Sequence, residues 1–237
     1  MNEFINQIFN EDCLTLLKRL PDNSVDLILT DPPYGIDYKN NRRGKNGKIK
    51  TEDGIANDGK GNTDFLGEVI KESYRVLKDG RHIYWFGRFD ALYKQAFKFE
   101  ENNFIIKNEL IWLKNNHGTG DLIYSYAPKH ESILYAVKKQ KKSSKMFKLQ
   151  KIGNTTRHNN ILEYSKVSKK NLIHDHQKPI ELLKFLIEKS SVEGEVVLDV
   201  FAGSGSTLLA AKETGRNYIG CELDNFYYQK ILESIGV

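Results

Sequence analysis

Cysteine, proline and long apolar runs are scarce in this 237-residue sequence, and each scarcity excludes a class of protein. Its two cysteines, Cys13 and Cys221, form no Cys-x-x-Cys pair, which argues against a disulfide scaffold and a structural zinc site. No apolar run approaches the roughly 20 residues of a membrane-spanning helix, so we expect no membrane partner. The first residues lack a basic region followed by an apolar core, so we expect no signal peptide and a cytoplasmic protein.

Short apolar runs bounded by turn residues recur along the chain and predict β-strands, several of them buried on both faces. They lie at residues 25–30, 82–87, 104–113, 132–137, 196–201 and 217–222. Helical patterns lie between them: one runs from Asp64, a candidate N-cap, to Gly80, one begins at Pro179 and one ends at Gly215. Strands that alternate with helices predict an α/β fold with a doubly wound, mostly parallel sheet.

Positive charge is concentrated in two segments of a chain whose net charge is +5. Residues 138–162 hold eight basic residues and no acid, and residues 36–60 hold seven basic residues against four acids. Two basic segments on an otherwise acidic body predict a surface that binds a polyanion such as nucleic acid, although lysine-rich loops are often only solvated surface. The candidate contacts are Arg42, Arg43, Lys141, Lys142, Lys145 and Arg157.

Both basic segments also interrupt the alternation of strands and helices. Residues 37–62 are rich in Gly, Asn and Lys with little to bury, which predicts a long mobile loop. Residues 138–171 are polar and basic, which predicts an insert outside the sheet. The main domain then consists of residues 1–137 and 172–237.

The run LDVFAGSGST, residues 198–207, predicts a strand, a glycine turn and the start of a helix. Glycines at 203 and 205 allow a ligand to approach the backbone closely. A dinucleotide fingerprint requires a third glycine where this chain has Leu208, and no Walker lysine is present, so the turn suits a nucleoside better than a pyrophosphate. Glu222 follows the next apolar run, where a carboxylate can accept both hydroxyls of a ribose.

Two further segments carry candidate ligand-binding groups. Asp12 stands at a strand-to-helix junction, where an N-cap role and a ligand role are compatible. His174 and His176 lack a third metal ligand nearby in the sequence, so we do not expect a metal site. A helix start at Pro179, together with Lys178, is instead suited to binding a carboxylate.

The stretch TDPPYG, residues 30–35, ends the apolar run 25–30. Neither Pro32 nor Pro33 has an N–H to donate to a sheet, so the strand must stop there. The strand end therefore presents Asp31, two rigid prolines and Tyr34 together.

DPPY after an apolar strand, combined with FAGSGS, resembles the S-adenosylmethionine-dependent DNA amino-methyltransferases. The order, with DPPY first and HQKP and FAGSGS near the C-terminus, resembles the β group of that family. The resemblance implies a circularly permuted Rossmann-like methyltransferase fold, S-adenosylmethionine as cofactor, double-stranded DNA as partner and residues 138–171 as a target-recognition insert. It implies a catalytic site of Asp31, Pro32, Pro33 and Tyr34, and a cofactor site of Asp12, Cys13, Lys178, Pro179, Asp199, Phe201, Gly203, Gly205 and Glu222.

Within this family, Asp at position 31 is more typical of adenine-N6 enzymes than of cytosine-N4 enzymes, which usually carry Ser there. Methylation of adenine N6 is therefore the expected activity and cytosine N4 the alternative. An inactive DNA-binding protein with this fold is a third hypothesis, which the intact Asp31, Tyr34 and glycine turn disfavour. A monomer and a homodimer are both compatible with the sequence, as are a solitary methyltransferase and one that accompanies a cognate restriction endonuclease.

Overall fold

A computed structural model describes residues 1–33, 41–43, 49–51, 62–116, 126–140, 145–152, 155, 157–167 and 177–236 of the chain. The helices are Cys13–Arg19 (α1), Asn62–Val76 (α2), Phe89–Glu101 (α3), Ile180–Ser190 (α4), Ser206–Glu213 (α5) and Asn225–Ile235 (α6). The strands are Gln7–Phe9 (β1), Val25–Thr30 (β2), Asn41–Arg43 (β3), Ile49–Thr51 (β4), Leu77–Gly87 (β5), Phe104–Leu113 (β6), His130–Lys138 (β7), Ile161–Glu163 (β8), Val196–Asp199 (β9) and Asn217–Cys221 (β10). Each of these helices is too short or too polar to cross a membrane.

An eight-stranded sheet in the order β1-β10-β9-β2-β5-β7-β6-β8 forms the centre of the molecule. The strands β1, β10, β9, β2 and β5 are mutually parallel. β7 runs antiparallel to both β5 and β6, and β8 is parallel to β6. The predicted α/β fold with a mostly parallel sheet is therefore confirmed.

Helices cover both faces of this sheet, which explains why β2 is buried along its whole length. On one face, Ile28 packs in a hydrophobic core with side chains of α1, α2 and α3. On the other face, its neighbours Leu27 and Leu29 pack with side chains of α4, α5 and α6. Because successive side chains of a strand point to opposite faces, a strand between two helical layers is buried on both faces and is therefore largely apolar.

β2 and β9 are parallel neighbours in the sheet, and the order in which later strands are added reverses between them. From β2 the chain continues through α2 to β5 on one side, whereas from β9 it continues through α5 to β10 on the other. Open α/β sheets bind ligands at such a switch point, beyond the carboxyl ends of the strands. We call this side of the sheet the carboxyl edge. The first residues of β7 and the last residues of β6 lie there too, because these two strands run in opposite directions.

Several sequence-based expectations require correction. Residues 138–171 do not lie wholly outside the sheet, because Ile161–Glu163 forms its outermost strand, beside β6. Residues 37–62 are not loop throughout, since Asn41–Arg43 and Ile49–Thr51 pair as an antiparallel ribbon. The helix expected to end at Gly80 ends at Val76, because Leu77 already pairs with Val25 in the sheet.

Candidate active site

The glycine turn after β9 has the conformation that its sequence predicts. Gly203 and Gly205 have φ angles of +53° and +76°, in the left-handed region that favours glycine. A Cβ on Gly203 would meet only Phe201 O, at 3.9 Å, so its surroundings are open to a ligand. A Cβ on Gly205 would lie 2.7 Å from Ile231 Cγ2, so this glycine lets α6 pack against the turn. The two glycines therefore have different roles.

Gly205→Ala should destabilise the protein by about 1–3 kcal/mol more than Gly194→Ala, because only the first substitution also creates a steric clash. Gly194 is the matched control, since its φ is +79° and a Cβ there would meet nothing within 4 Å. Urea denaturation of both variants measures the difference in the free energy of unfolding. Equal losses would contradict a packing role for Gly205.

Glu222, directly after β10, is held by backbone groups of two neighbouring segments. Its Oε2 accepts a hydrogen bond from Gly203 N at 2.8 Å, and its Oε1 accepts one from Asp224 N at 2.9 Å. Burial raises the pKa of the Glu222 carboxyl above its usual range, although these hydrogen bonds oppose the shift. A carboxylate has lone pairs to spare after two such bonds, so Glu222 can still accept hydrogen bonds from a bound ligand.

Asp12 and Cys13 lie at the start of α1, which follows β1 at the carboxyl edge. Asp12 is the N-cap of α1, and its Oδ1 accepts a hydrogen bond from Leu14 N at 2.9 Å. Cys13 is buried in the hydrophobic core, and burial raises the pKa of its thiol to about 12. The Cys13 side chain is therefore a core residue, and a nucleophilic role for its thiolate is disfavoured.

Asp199 ends β9 and links it to β2, the strand that leads into Asp31. Its Oδ1 accepts hydrogen bonds from Thr30 Oγ1 at 2.7 Å and from Phe201 N at 3.1 Å. Phe201 packs edge-on against Trp85, with ring centroids 6.5 Å apart. Burial raises the pKa of the Asp199 carboxyl to about 6, although its hydrogen bonds oppose the shift.

The raised pKa of Asp199 predicts how protein stability depends on pH. Between its ordinary pKa of 3.8 and its folded value of about 6, the folded protein holds a proton that the unfolded chain has released. The stabilisation is therefore present below about pH 4 and is lost as pH rises through about 6. Between pH 4 and pH 7, the wild type should lose on the order of 2 kcal/mol of unfolding free energy relative to Asp199→Asn. Chemical denaturation of both proteins at several pH values measures this difference. Free energies of unfolding that change with pH in parallel would contradict the prediction.

Asp31, Pro32 and Pro33 follow β2 at the carboxyl edge, as predicted. The Asp31 side chain is partly exposed, at 23% of its maximum, whereas Pro32 is buried. Tyr34 lies outside the described residues, as do His174 and His176. The described residues contain no cluster of three or more His, Cys, Asp or Glu side chains that could hold a metal ion.

Lys178 contacts Asp31 directly, which the sequence did not indicate. Its Nζ forms an ion pair with Asp31 Oδ2 and lies 3.3 Å from Glu131 Oε2. Burial alone would lower the pKa of the Lys178 ammonium, but Asp31 and Glu131 outweigh it and raise that pKa. Pro179 is buried and is the N-cap of α4 rather than its first residue.

The predicted DNA-binding residues that the structure describes lie in different segments of the chain. Arg42 and Arg43 lie in β3, while Lys141 and Lys142 fall outside the described residues. The segment that begins at Lys145 passes the edge of the sheet opposite to the carboxyl edge. There Phe147 N donates a hydrogen bond to Gly80 O, near the start of β5. Exposed Arg157 precedes β8, the outermost strand.

Sequence reasoning did not identify three side chains of the site: Thr30, Lys114 and Glu131. Lys114 directly follows β6, and its Nζ lies 3.3 Å from Glu131 Oε1. Glu131 is the second residue of β7. An acid at the start of a mostly apolar strand can indicate a functional residue. The position of Glu131 at the carboxyl edge, however, depends on β7 being antiparallel.

Known proteins are similar to this chain along almost its whole length. The chain is 32% identical over 241 residues to the Type II methyltransferase M.HinfI of Haemophilus influenzae, and the match covers 96% of this chain and 67% of that protein. It is 27% identical over 299 residues to the Type II methyltransferase M.HindIII of the same species, with coverage of 98% and 96%. The crystal structure of the M1.HpyAVI–SAM complex superposes with a TM-score of 0.74 at 26% identity, covering 98% and 99% of the two chains.

The model of a DNA methylase family, the N6/N4 methyltransferases, matches residues 25–233. That span includes the Asp31 strand end, Lys178, the glycine turn and Glu222. The resemblance to the DNA amino-methyltransferases is thereby confirmed, and this chain belongs to the N6/N4 DNA methylase family.

Proposed function

We propose that this protein is a site-specific adenine-N6 methyltransferase that acts on a base flipped out of duplex DNA. The observation that carries the proposal is the placement of Asp31 and Pro32 at the end of β2. They lie beside the Asp199 strand end, at the switch point of the sheet. The acceptor of the methyl group and its donor can therefore meet at one edge.

S-adenosylmethionine is the cofactor of this family member and, when bound, supplies the methyl group. The residues of the candidate cofactor site fit S-adenosylmethionine. The turn is open around Gly203, and Glu222 is fixed beside that turn with lone pairs available for the two ribose hydroxyls. We assign Asp12 to the adenine of the cofactor. The ammonium of Lys178, which was expected near the cofactor's carboxylate, pairs with Asp31 and Glu131.

Asp31 and Pro32 supply the acceptors that an exocyclic amine needs. The lone pair of such an amine is delocalised into the base, which makes the nitrogen a poor nucleophile. Hydrogen bonds from its two N–H groups to the Asp31 carboxylate and the Pro32 carbonyl favour a pyramidal nitrogen with a directed lone pair. These acceptors are fixed before the substrate arrives, so little reorganisation accompanies the reaction. Tyr34 is assigned the stacking face for the flipped base, worth about 1–3 kcal/mol.

The DNA is expected to contact the carboxyl edge, because the target base must reach Asp31. Exposed Lys166 lies at this edge: its backbone N donates a hydrogen bond to Asn115 Oδ1 at 3.2 Å, just beyond the end of β6. Burial and the charges of Lys114 and Lys178 lower its pKa. Because Asp31 and Glu131 pair with Lys114 and Lys178, the ammonium of Lys166 is a further positive charge at this edge, and it favours a phosphate there.

Lys166→Glu should weaken DNA binding and reduce the salt dependence of log Kd by a slope of about 1, because one phosphate contact is lost. Lys145→Glu is the matched control, since it makes the same charge change on an exposed lysine at the opposite edge of the sheet. Fluorescence anisotropy with a DNA duplex at several salt concentrations measures both slopes. A larger effect of Lys145→Glu would place the DNA on the other edge.

The proposed activity is tested by expressing the protein in a host that lacks DNA methyltransferases and mapping modified bases in the host DNA by single-molecule sequencing. We expect N6-methyladenine within one recurring sequence. N4-methylcytosine would instead support the alternative specificity, which also occurs in this family. An unmodified genome would support an inactive DNA-binding protein.

A further inference from the structure

We propose that Glu131 is a positioning residue that acts on Asp31 through Lys178. Glu131 lies near the start of β7, and β5 separates this strand from β2 in the sheet. Because β7 is antiparallel, its first residues lie at the edge where β2 ends. The fold thus brings a second carboxylate beside Asp31. The inference rests on the proposed role of Asp31 as acceptor of the target amine.

Four charged side chains form a continuous chain of contacts at this place. Lys114 Nζ lies 3.3 Å from Glu131 Oε1, Lys178 Nζ lies 3.3 Å from Glu131 Oε2, and Lys178 Nζ also pairs with Asp31 Oδ2. Both lysine side chains are buried, with 5% and 9% of their surface exposed. Two ammonium groups and two carboxylates therefore balance one another in a largely desolvated site.

Glu131 remains ionised at every pH at which the enzyme would work. Burial alone would raise the pKa of its carboxyl, but the charges of Lys178 and Lys114 outweigh burial and lower that pKa to about 2. Its Oε2 is buried and contacts Lys178 as an ion pair rather than through a well-aligned hydrogen bond. This oxygen therefore attracts the Lys178 ammonium by charge.

The effect on Asp31 follows from the sharing of one ammonium between two carboxylates. While Glu131 is charged, Lys178 is held between them, and Asp31 keeps acceptor capacity for the target amine. Without the charge on Glu131, Lys178 loses one of the two carboxylates that attract it in this cluster and keeps its ion pair with Asp31. An ammonium attracted by two carboxylates lies between them, whereas one attracted mainly by Asp31 lies closer to Asp31, because the attraction strengthens as the distance falls. Asp31 then becomes a weaker and differently oriented acceptor.

Glu131→Gln and Glu131→Asp separate this role from a structural one. Gln preserves the shape of Glu131 without its charge, whereas Asp preserves the charge in a shorter side chain. We expect Glu131→Gln to slow single-turnover methyl transfer at least about tenfold, and Glu131→Asp to be faster than Glu131→Gln. Glu163→Gln, which changes an exposed carboxyl at the end of β8, should keep the wild-type rate.

Titration calorimetry should show that cofactor affinity changes by less than about threefold in all three variants. The substitutions of Glu131 then lower the rate of methyl transfer without weakening cofactor binding. A wild-type rate for Glu131→Gln would overturn the inference. So would an Asp variant slower than the Gln variant, because shape would then matter more than charge. A wild type that methylates no DNA would instead overturn the proposed function, on which this inference rests.

Discussion

Replacement of Asp31 by Ala should lower the rate of methyl transfer by roughly 10³-fold or more while leaving cofactor binding nearly intact. The carboxylate is proposed to accept an N–H of the target amine, so its loss removes an interaction that strengthens as the nitrogen becomes pyramidal. The cofactor is assigned instead to the glycine turn and Glu222, on the other side of the β2–β9 boundary. Single-turnover kinetics with labelled cofactor measures the rate, and calorimetry measures cofactor affinity.

Asp22→Ala is a suitable control for this substitution. Asp22 pairs with Arg75 at 2.7 Å on the surface, so its removal changes the same charge without touching the site. Weak cofactor binding by Asp31→Ala, with residual transfer at saturating cofactor, would refute the role assigned to Asp31. Thermal unfolding of both variants shows whether Lys178 tolerates the loss of one of its two carboxylate partners.

Replacement of Glu222 by Ala should raise the dissociation constant of the cofactor roughly 10- to 100-fold, because hydrogen bonds to a charged group contribute about 1.5–3 kcal/mol. The variant loses the two ribose contacts assigned to this carboxylate. It also releases Gly203 N and Asp224 N, which the carboxylate binds. Titration calorimetry well below the unfolding temperature measures the affinity.

Glu193→Ala is the matched control for Glu222→Ala. Glu193 is an exposed acid in the turn before β9, at the edge of the sheet opposite to the glycine turn. We expect it to bind the cofactor as the wild type does. Equal affinity of Glu222→Ala and the wild type would show that the ribose is held elsewhere.

Structural features that a short stretch of sequence determines could be predicted. The Asp31-Pro32-Pro33 strand end and the glycine turn are local, because prolines and glycines set the backbone where they stand. The parallel direction of β2 and β9 could also be inferred, since both are largely apolar and are separated from their next strands by helical patterns. Parallel strands with opposite onward directions place their carboxyl ends at one ligand site.

Features that depend on distant pairing could not be predicted. Glu131 reaches Lys178 only because β7 is antiparallel, a property that no residue of β7 encodes by itself. The strand β8 is three residues long, and its Ile161 and Glu163 are exposed, so it has neither the length nor the apolar character that signals a strand. The basic segment was expected to contact DNA, and nothing in its sequence indicated the path past Gly80 that takes Lys145 to the edge opposite to the active site.

Sequence reasoning also missed two helices, α3 and α6. In α3, Phe89 and Phe97 are 76% and 64% exposed, although aromatic residues at helical spacing usually mark a buried face. In α6, Asp224 caps the helix through hydrogen bonds to Phe226 N and Tyr227 N, but only Ile231 and Ile235 are buried. Both sequences are nonetheless as amphipathic as that of α4, which sequence reasoning identified, so a pattern to predict them was present.

The central claim is that the Asp31 strand end activates the exocyclic amine of adenine in DNA. Its most direct test is incubation of the purified protein with methyl-labelled S-adenosylmethionine and duplex DNA of mixed sequence, followed by digestion to nucleosides and identification of the labelled product. We expect the label in N6-methyldeoxyadenosine with the wild type and none with Asp31→Ala. Label in N4-methyldeoxycytidine, or equal labelling by the Asp31→Ala variant, would contradict the account.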